Sequence, residues 1–279
     1  MRGPAAQDQQ QRHDDNPASD PEQRAEEAGD EADEDEPHRR IVSGMDLIAL
    51  LAEQPERTAI LLDVDGALAP IVPRPEDARV PPETKAELRR LNGRYALVAC
   101  VSGRAGEDAA RVVGVPGLVY VGNHGLELEP AADEWAEKLH RFLAETAWPR
   151  TEDKRLSAAL HYRDSQDETA ARKALDEIAA RAERQGFRTR YGRKVLEILP
   201  PLEANKGTAV RRLLREHRLE RALYAGDDTT DLDAFRALDG LELGIRVAVA
   251  SREGPAELRA AADVVVDGSE ALLALLRDL

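Results

Sequence analysis

The chain has 279 residues, a formal net charge of −15 and one cysteine, Cys100. A single cysteine excludes an intrachain disulfide. The acidic balance and an aromatic content of 4% argue against a nucleic-acid partner. No apolar run approaches the roughly 20 residues that span a bilayer, and the first ten residues lack the apolar core of a signal peptide. We therefore expect a cytoplasmic protein that binds no membrane.

Residues 1–40 differ in composition from the rest of the chain. They contain 13 acidic residues against five arginines, and their apolar side chains are Met1 and six alanines. A segment with so little apolar surface cannot offset the entropy of ordering its backbone. We predict a disordered acidic arm over residues 1–40, with a docking tail for a basic protein as the alternative, and we expect folding to begin near Ile41.

Six short apolar runs are rich in Val, Leu, Ile or Ala and do not alternate with polar residues. That pattern is typical of strands buried on both faces, as in a parallel sheet. Helical stretches between and after the runs complete a doubly wound, Rossmann-like α/β core. The runs span 59–64, 95–101, 118–122, 222–226, 246–250 and 263–266, and the helical stretches span 82–91, 106–114, 206–217 and 269–279.

The middle of the chain follows another pattern. Residues 156–164 and 193–200 alternate and carry charge, with a helical segment at 167–186 between them. This predicts an antiparallel sheet with helices on one face, inserted between the third and fourth parallel strands. An insertion at the carboxyl edge of a parallel sheet can cover the ligand crevice. The predicted domains are a core at 41–125 and 204–279 and an α+β cap at 126–203.

The first strand ends in the acidic sequence DVDG, which contains Asp63, Asp65 and Gly66. The end of a central parallel strand is where a ligand would lie. Gly66 would let the backbone approach a ligand closely and offer N–H groups to an anion. The alternative is an ordinary Asp-Gly turn with two solvated acids.

Other polar groups also follow predicted strands or open a helix. Ser102 ends the second strand, as either a helix cap or a phosphate donor. Lys206 begins a helix, where an ammonium opposes the helix dipole and a phosphate partner would explain it. Asp227, Asp228 and Asp231 share one loop after the fourth core strand, and their repulsion calls for a cation. Together these groups predict a phosphoryl-transfer site with Mg²⁺.

The motifs DVDG, VSGR, NKG and GDDTTD occur in the order found in the haloacid dehalogenase superfamily of phosphatases, which the chain resembles. More narrowly, it resembles the trehalose-6-phosphate phosphatase family. That resemblance covers about residues 57–270 and rests on further segments: GNHGLE at 122–127, HYR at 161–163, VLEILPPLEANKG at 195–207 and AGDDTTDLDAF at 225–235.

The resemblance implies a role for each acidic residue. Asp63 would attack phosphorus and become an aspartyl phosphate, and Asp65 would serve as acid and then base. Mg²⁺ would be held by the Asp63 carboxylate, the Asp65 backbone carbonyl and Asp227, with Asp228 as a further candidate metal residue. Asp228 and Asp231 would be outer ligands or would orient Lys206, two roles that stay open. Ser102 and Lys206 would hold phosphate oxygens.

The resemblance also implies a set of substrate-binding residues around the phosphate and on the cap. Arg163 and Glu197 are the candidates for sugar hydroxyls, against the alternative of a solvated strand face. The role of His124 stays open, because a lone histidine is more often a structural residue. The full set is Gly66, Gly103, Arg104, Asn123, His124, His161, Arg163, Lys194 and Glu197.

One residue departs from the family pattern: Ala67 stands where the family usually has threonine, so a hydroxyl expected near the phosphate is absent. The resemblance implies hydrolysis of trehalose 6-phosphate by a monomer, in the last step of trehalose biosynthesis. The alternatives are a related phosphatase acting on sucrose 6-phosphate or a glycosyl-phosphoglycerate, and a catalytically weak regulator that binds phosphosugars.

Overall fold

A computed structural model describes residues 44–72, 74–163, 165–192, 194–251 and 254–279. The acidic segment 1–40 and the expected start of folding near Ile41 lie outside these residues. The described residues all fall in one compact unit, Val42–Leu279. Among them, no helix is long and apolar enough to cross a membrane.

The described residues form ten strands and nine α-helices. The strands are β1 (Thr58–Leu62), β2 (Leu97–Val101), β3 (Val119–Val121), β4 (Thr151–Asp153), β5 (Ala158–His161), β6 (Arg188–Gly192), β7 (Val195–Leu199), β8 (Arg221–Gly226), β9 (Leu243–Ala250) and β10 (Val264–Asp267). The helices are α1 (Gly44–Ala52), α2 (Pro82–Asn92), α3 (Gly106–Val113), α4 (Ala132–Ala144), α5 (Glu168–Arg184), α6 (Lys206–His217), α7 (Asp231–Arg236), α8 (Ala256–Ala261) and α9 (Gly268–Arg277).

Six strands form a parallel core sheet in the order β10-β9-β8-β1-β2-β3. Every residue of β1 is buried, and successive residues enter different apolar clusters. Ile60 packs in the cluster that includes residues of α1, α2 and α9, whereas Leu61 packs in the one that includes residues of α6 and α7. Burial on both faces explains the continuous apolar runs, and the predicted doubly wound α/β core is confirmed.

The connection order places the ligand crevice between β1 and β8. From β1 the chain adds β2 and then β3 on one side, and it later returns to add β8 on the other side of β1. A crevice opens at the carboxyl ends of the strands where the direction of growth reverses in this way. Residues that follow β1 and β8 therefore face the same crevice.

A second, antiparallel sheet in the order β4-β5-β7-β6 lies between β3 and α6 in the chain. One face packs on α4 and α5, where Leu139 and Phe142 meet Leu160 and Leu196. This confirms the inserted α+β layer, whereas the exact domain boundaries stay predictions. Helix α4 was not predicted, although Trp135, Leu139 and Phe142 carry a helical spacing.

Candidate active site

Neighbouring strand ends bring Asp63 and Asp227 together. Strands β1 and β8 pair in register with Leu62 opposite Ala225, and the Asp63 N–H donates to the Ala225 carbonyl at 2.8 Å. Asp227 follows β8 directly. Asp63, Asp227 and Asp231 each offer a carboxylate oxygen, and these oxygens lie within 4.8 Å of one another. Three buried carboxylates are thus gathered at the crevice.

Asp231 is the most buried of the three carboxylates and accepts hydrogen bonds from the groups around it. It is 0% exposed, and its Oδ1 accepts hydrogen bonds from Lys206 Nζ and the Tyr224 hydroxyl, both at 2.7 Å. Its Oδ2 accepts from the backbone N–H groups of Asp227 and Asp228, both at 2.9 Å. With four donors, Asp231 fixes the Lys206 ammonium and the start of the loop at 227–228, a contact that fits the orienting role among the two that the sequence left open.

Lys206 bridges the two strand ends from the first turn of α6. Asn205 caps this helix, accepting from the Thr208 N–H at 2.8 Å while the Thr208 hydroxyl accepts from the Asn205 N–H at 3.0 Å. The Lys206 ammonium is 3.0 Å from Asp63 Oδ1 in addition to its bond with Asp231. Burial alone would lower the Lys206 pKa, but the two carboxylates outweigh it and the pKa is raised. These carboxylates compensate a cation placed against the helix dipole.

Burial and mutual repulsion raise the pKa values of Asp63 and Asp227. Burial raises the pKa of Asp63 well above its ordinary value, and the nearby carboxylates add to the effect although Lys206 opposes it. Burial and the Asp231 charge raise the pKa of Asp227 to about 7. Among the described residues, three carboxylates lie around the one Lys206 ammonium, so further positive charge would be favoured there. Oxygen donors of this kind suit a hard divalent cation.

The turn after Asp63 is shaped by close contact with Asp227. Gly66 has a φ of +85°, and a Cβ there would lie 2.0 Å from Asp227 Oδ2, so only glycine fits. Its N–H donates to the Ala69 carbonyl at 2.8 Å, so it is not free for the anion that the sequence suggested. Ala67 is fully buried in the apolar core rather than facing the crevice, so the missing threonine hydroxyl is not an open position beside a phosphate.

The loop after β2 carries Ser102, Gly103 and Arg104. Ser102 is almost fully buried, and its hydroxyl accepts from the Arg104 N–H at 3.2 Å. The Arg104 guanidinium donates hydrogen bonds to both carboxylate oxygens of Asp65, at 2.6 and 2.7 Å, and to the Pro75 carbonyl at 2.9 Å. The sequence assigned Arg104 to substrate, but here its guanidinium holds Asp65.

In the predicted metal set, the Asp228 and Asp65 carboxylates lie apart from the three gathered carboxylates, although Asp65 was predicted to bind through its backbone carbonyl. Asp228 is exposed, and its Oδ1 accepts from the Thr229 N–H at 2.7 Å. The Asp65 carboxylate is turned to Arg104. Asp63 and Asp227 are therefore the side chains of that set that the structure brings together.

A cavity of about 520 Å³ opens over these groups. From the core, its lining includes Asp63, Asp65, Ser102, Gly103, His124, Lys206, Asp227 and Asp228. From the second sheet and its β4–β5 hairpin, the lining includes Glu152, Lys154 and His161. A neighbouring cavity of about 1060 Å³ shares Arg104, Glu152 and His161 and reaches Arg163. Glu152 and Lys154 were missed because strand β4 is only three residues long and shows little apolar alternation.

Three candidate residues of the second sheet region are each paired with another side chain of the protein. His161 Nε2 lies 3.0 Å from Glu152 Oε2, and Arg190 Nε donates to Glu197 Oε2 at 2.7 Å. Lys194 pairs with Glu168. Neither Lys194 nor Glu197 lines either of the two cavities. The Glu197 charge nevertheless acts to raise the pKa of His124, against the larger effect of burial.

Asn123 and His124 lie in the segment after β3, and both have a φ of +52°. The Asn123 side chain is taken up by protein groups: Nδ2 donates to Glu127 Oε1 and the Lys154 carbonyl, and Oδ1 accepts from the Ser157 hydroxyl. It does not line the cavity over the acids, so the structure does not bring it to the predicted substrate position. Burial and the Lys206 charge lower the pKa of His124 to about 4, which keeps its imidazole neutral.

Known proteins share this architecture. The chain superposes on the C-terminal domain of a Candida albicans trehalose-6-phosphate phosphatase with a TM-score of 0.63 and 21% identity, covering 84% of this chain and 96% of that one. A haloacid dehalogenase-like hydrolase from Bacteroides thetaiotaomicron gives 0.54 and 16%, with coverages of 79% and 98%. At these identities the likeness shows the fold.

Sequence comparison identifies the family. Trehalose-phosphate phosphatases from Mycobacterium marinum and Mycobacterium tuberculosis are 33% and 32% identical, over 68% and 67% of this chain. The matched parts are 54% and 52% of those proteins, so the chain spans about half their length. The family model for trehalose-phosphatase matches residues 61–267, which include every motif at the strand ends. The chain therefore belongs to the trehalose-phosphatase family.

Proposed function

We propose that this chain hydrolyses trehalose 6-phosphate to trehalose and inorganic phosphate, the last step of trehalose biosynthesis. The observation that carries the proposal is the Lys206 ammonium held between Asp63 and Asp231 at the base of the cavity. Such a group offers a nucleophilic carboxylate beside a fixed positive charge that suits phosphate oxygens. Membership of the trehalose-phosphatase family supports the identity of the sugar.

The proposed chemistry has two displacements. An Asp63 oxygen bonds to phosphorus while the bond from phosphorus to the sugar oxygen breaks, and that oxygen takes a proton from the Asp65 carboxyl. A water molecule then attacks the aspartyl phosphate and passes a proton to Asp65. This releases inorganic phosphate and restores the Asp63 carboxylate. Lys206 and the Ser102 hydroxyl hold the phosphate oxygens as charge develops.

Asp65 must leave Arg104 to take part in proton transfer. Both of its oxygens accept from that guanidinium, whose partners also include the Pro75 carbonyl. The Asp65 side chain is 42% exposed, which leaves it space to turn toward a leaving group. Once released, Arg104 lines the same cavity as Lys206 and is free to contact the substrate, the role that the family resemblance implies.

We include Mg²⁺ as the cofactor, held by the Asp63 and Asp227 carboxylates and the Asp65 backbone carbonyl. The carboxylate oxygens fit a hard cation, and the excess of negative charge in the group favours one. Asp231 is the poorest of the three as a ligand because it already accepts four hydrogen bonds. When bound, the ion supplies positive charge that reduces the repulsion between the Asp63 carboxylate and the phosphate.

The sugar is proposed to lie against the polar residues of the second sheet. Glu152, Lys154 and His161 line the cavity over the acids, and Arg163 lines the adjoining one. Charged groups of this kind make strong hydrogen bonds to sugar hydroxyls. Glu197 would act from the same sheet if the two layers close on the substrate.

The test is phosphate release from a panel of esters with Mg²⁺, and again with the metal chelated. We expect trehalose 6-phosphate to have the highest kcat/KM, ahead of sucrose 6-phosphate, glucosyl-phosphoglycerate and p-nitrophenyl phosphate, and chelation to abolish turnover. A higher kcat/KM for another sugar phosphate would contradict the proposed substrate. Absence of phosphate release from every ester would favour a regulator. The cytoplasmic location and the monomeric state stay predictions.

A further inference from the structure

The segment after β3 contacts both the phosphate-side loop and the second sheet. On the core side, Glu127 Oε1 accepts from the Gly106 N–H at 2.7 Å, and Oε2 accepts from the Gly122 N–H at 2.9 Å. A Cβ on Gly106 would lie 2.4 Å from Glu127 Oε2, and one on Gly122 would lie 2.1 Å from the Gly106 nitrogen. Gly122 is therefore required by the close approach of the backbone, whereas a side chain at Gly106 would displace the Glu127 carboxylate. Glu127 ties the start of α3 to the end of β3.

Backbone hydrogen bonds extend this connection along the loop at 102–106. The Asn123 N–H donates to the Arg104 carbonyl at 2.7 Å, and the His124 N–H donates to the Ser102 carbonyl at 2.9 Å. The loop that presents Ser102 and Arg104 is thus held at three successive points by residues 122–127. A shift of that segment would move both side chains relative to Lys206.

The Asn123 side chain reaches from the same segment to the hairpin between β4 and β5. Its Nδ2 donates to the Lys154 carbonyl at 3.1 Å and to Glu127 Oε1 at 3.2 Å, and its Oδ1 accepts from the Ser157 hydroxyl at 2.7 Å. Asn123 is 1% exposed and Ser157 is 8% exposed, so these bonds are shielded from water. The hairpin carries Lys154 at the cavity, next to Glu152 on β4.

The backbone of Asn123 is itself unusual. Its φ of +52° lies in the left-handed region, which asparagine tolerates better than most residues. A conformation of this kind persists where the surroundings determine it, and here they do so through four hydrogen bonds of one residue.

We infer that Asn123 and Glu127 are positioning residues that couple the β4–β5 hairpin to the phosphate-side loop. Glu127 secures the loop, and Asn123 joins the secured loop to the hairpin that carries Lys154. The placement of the sugar-side residues relative to Ser102 and Arg104 then depends on the Asn123–Ser157 contact. The choice of substrates below rests on the proposed function.

The kinetic test compares four variants on trehalose 6-phosphate and p-nitrophenyl phosphate. Asn123→Gly keeps the backbone conformation but removes the side chain, and Ser157→Ala removes the partner hydroxyl. Both should lower kcat/KM for the disaccharide ester about tenfold, the effect of losing a buried hydrogen bond, and change the small ester by less than about twofold. Glu127→Gln should lower kcat/KM about equally for both esters, because the new side-chain amide N–H would then face the backbone N–H of Gly106 or Gly122. Thr189→Val removes a hydroxyl of β6 that donates to Glu183 on α5, and it should change neither.

Amide hydrogen exchange tests the coupling without a substrate. Ser157→Ala should speed exchange at 122–124 as well as in its own hairpin, while the loop at 102–106 stays held by Glu127, and Thr189→Val should change none of these regions. Exchange changes confined to residues 154–158, or equal kinetic losses on both esters for Asn123→Gly and Ser157→Ala, would overturn the inference. If the parent protein fails on trehalose 6-phosphate, the proposed function fails, but the exchange result still decides the coupling.

Discussion

Charged side chains are buried beside the core sheet but partly exposed on the second sheet. Beside the core sheet, Asp231 and Lys206 are buried with 0% and 3% of their side chains exposed, and each is held by other buried groups. On the second sheet, Arg190 and Glu197 pair with 53% and 20% exposed, and successive residues of β6 alternate in exposure. A buried ion pair fixes one geometry, and removing one partner leaves an unpaired buried charge that strongly destabilises the fold. Exposed pairs contribute little to stability and can exchange partners.

The difference suggests a division of labour. In the proposed function the core edge holds a nucleophile, a cation and an ammonium at fixed distances, which burial and shared hydrogen bonds would provide. In the same proposal the second sheet offers polar groups to the sugar, and solvent-exposed side chains can reorganise around it. Substitutions at the core edge should therefore affect every ester, whereas substitutions on the second sheet should depend on the ester used.

The largest effect is expected for Asp63→Asn. Loss of the nucleophile should lower kcat at least about 10³-fold on both trehalose 6-phosphate and p-nitrophenyl phosphate. Asp228→Asn, which changes an exposed acid in the neighbouring loop, should cost much less. Steady-state phosphate release measures both. Activity of Asp63→Asn within tenfold of the parent would rule out an aspartyl phosphate.

Asp231→Ala should be the most damaging to stability. It leaves the Lys206 ammonium, the Tyr224 hydroxyl and two backbone N–H groups without their acceptor, and breaking a buried pair of this kind costs about 3–5 kcal/mol. Asp233→Ala on the same helix removes only an exposed pair with Arg236 and should cost less than about 1 kcal/mol. Urea unfolding separates the two. Equal losses would remove the contrast between buried and exposed charges.

The pKa of His124 predicts a response to acid. Because burial lowers that pKa to about 4, below about 6.5 for an unfolded chain, the unfolded state takes up the proton first as pH falls. Stability is therefore lost between about pH 6.5 and pH 4. From pH 7 to pH 5 the parent should lose about 2 kcal/mol more than His124→Asn, which tolerates the positive φ. Parallel losses in unfolding experiments would mean that the imidazole is solvated.

The smallest effect is expected for Glu197→Ala. The side chain pairs with a half-exposed arginine and lines neither cavity, so kcat/KM on trehalose 6-phosphate should fall about tenfold or less. The rate on p-nitrophenyl phosphate should stay within about twofold. Arg190→Ala removes the other half of the pair and is the matched control. A loss above 10² on both esters would place Glu197 in the core chemistry and break the contrast between the sheets.

The sequence by itself determined the parallel core and the strand-end positions of Asp63, Ser102 and Asp227. Strands buried on both faces need continuous apolar runs, so the pattern is local and readable. The acids follow β1 and β8 directly, and the order of motifs placed them at one edge. Lys206 was predictable for a similar reason, because it occupies the first position of a helix whose cap lies next to it in the chain.

Only the tertiary structure decided which groups these residues contact. Arg104 binds Asp65 across 39 residues, Asp231 binds Lys206 across 25, and Ser157 binds Asn123 across 34. Composition and periodicity report burial and local conformation, but a hydrogen bond between distant segments depends on how their elements pack. Asn123 was therefore assigned to substrate although its side chain joins a core loop to the β4–β5 hairpin. For Asp231, the four donors that favour an orienting role come from three segments of the chain, which the sequence pattern does not connect.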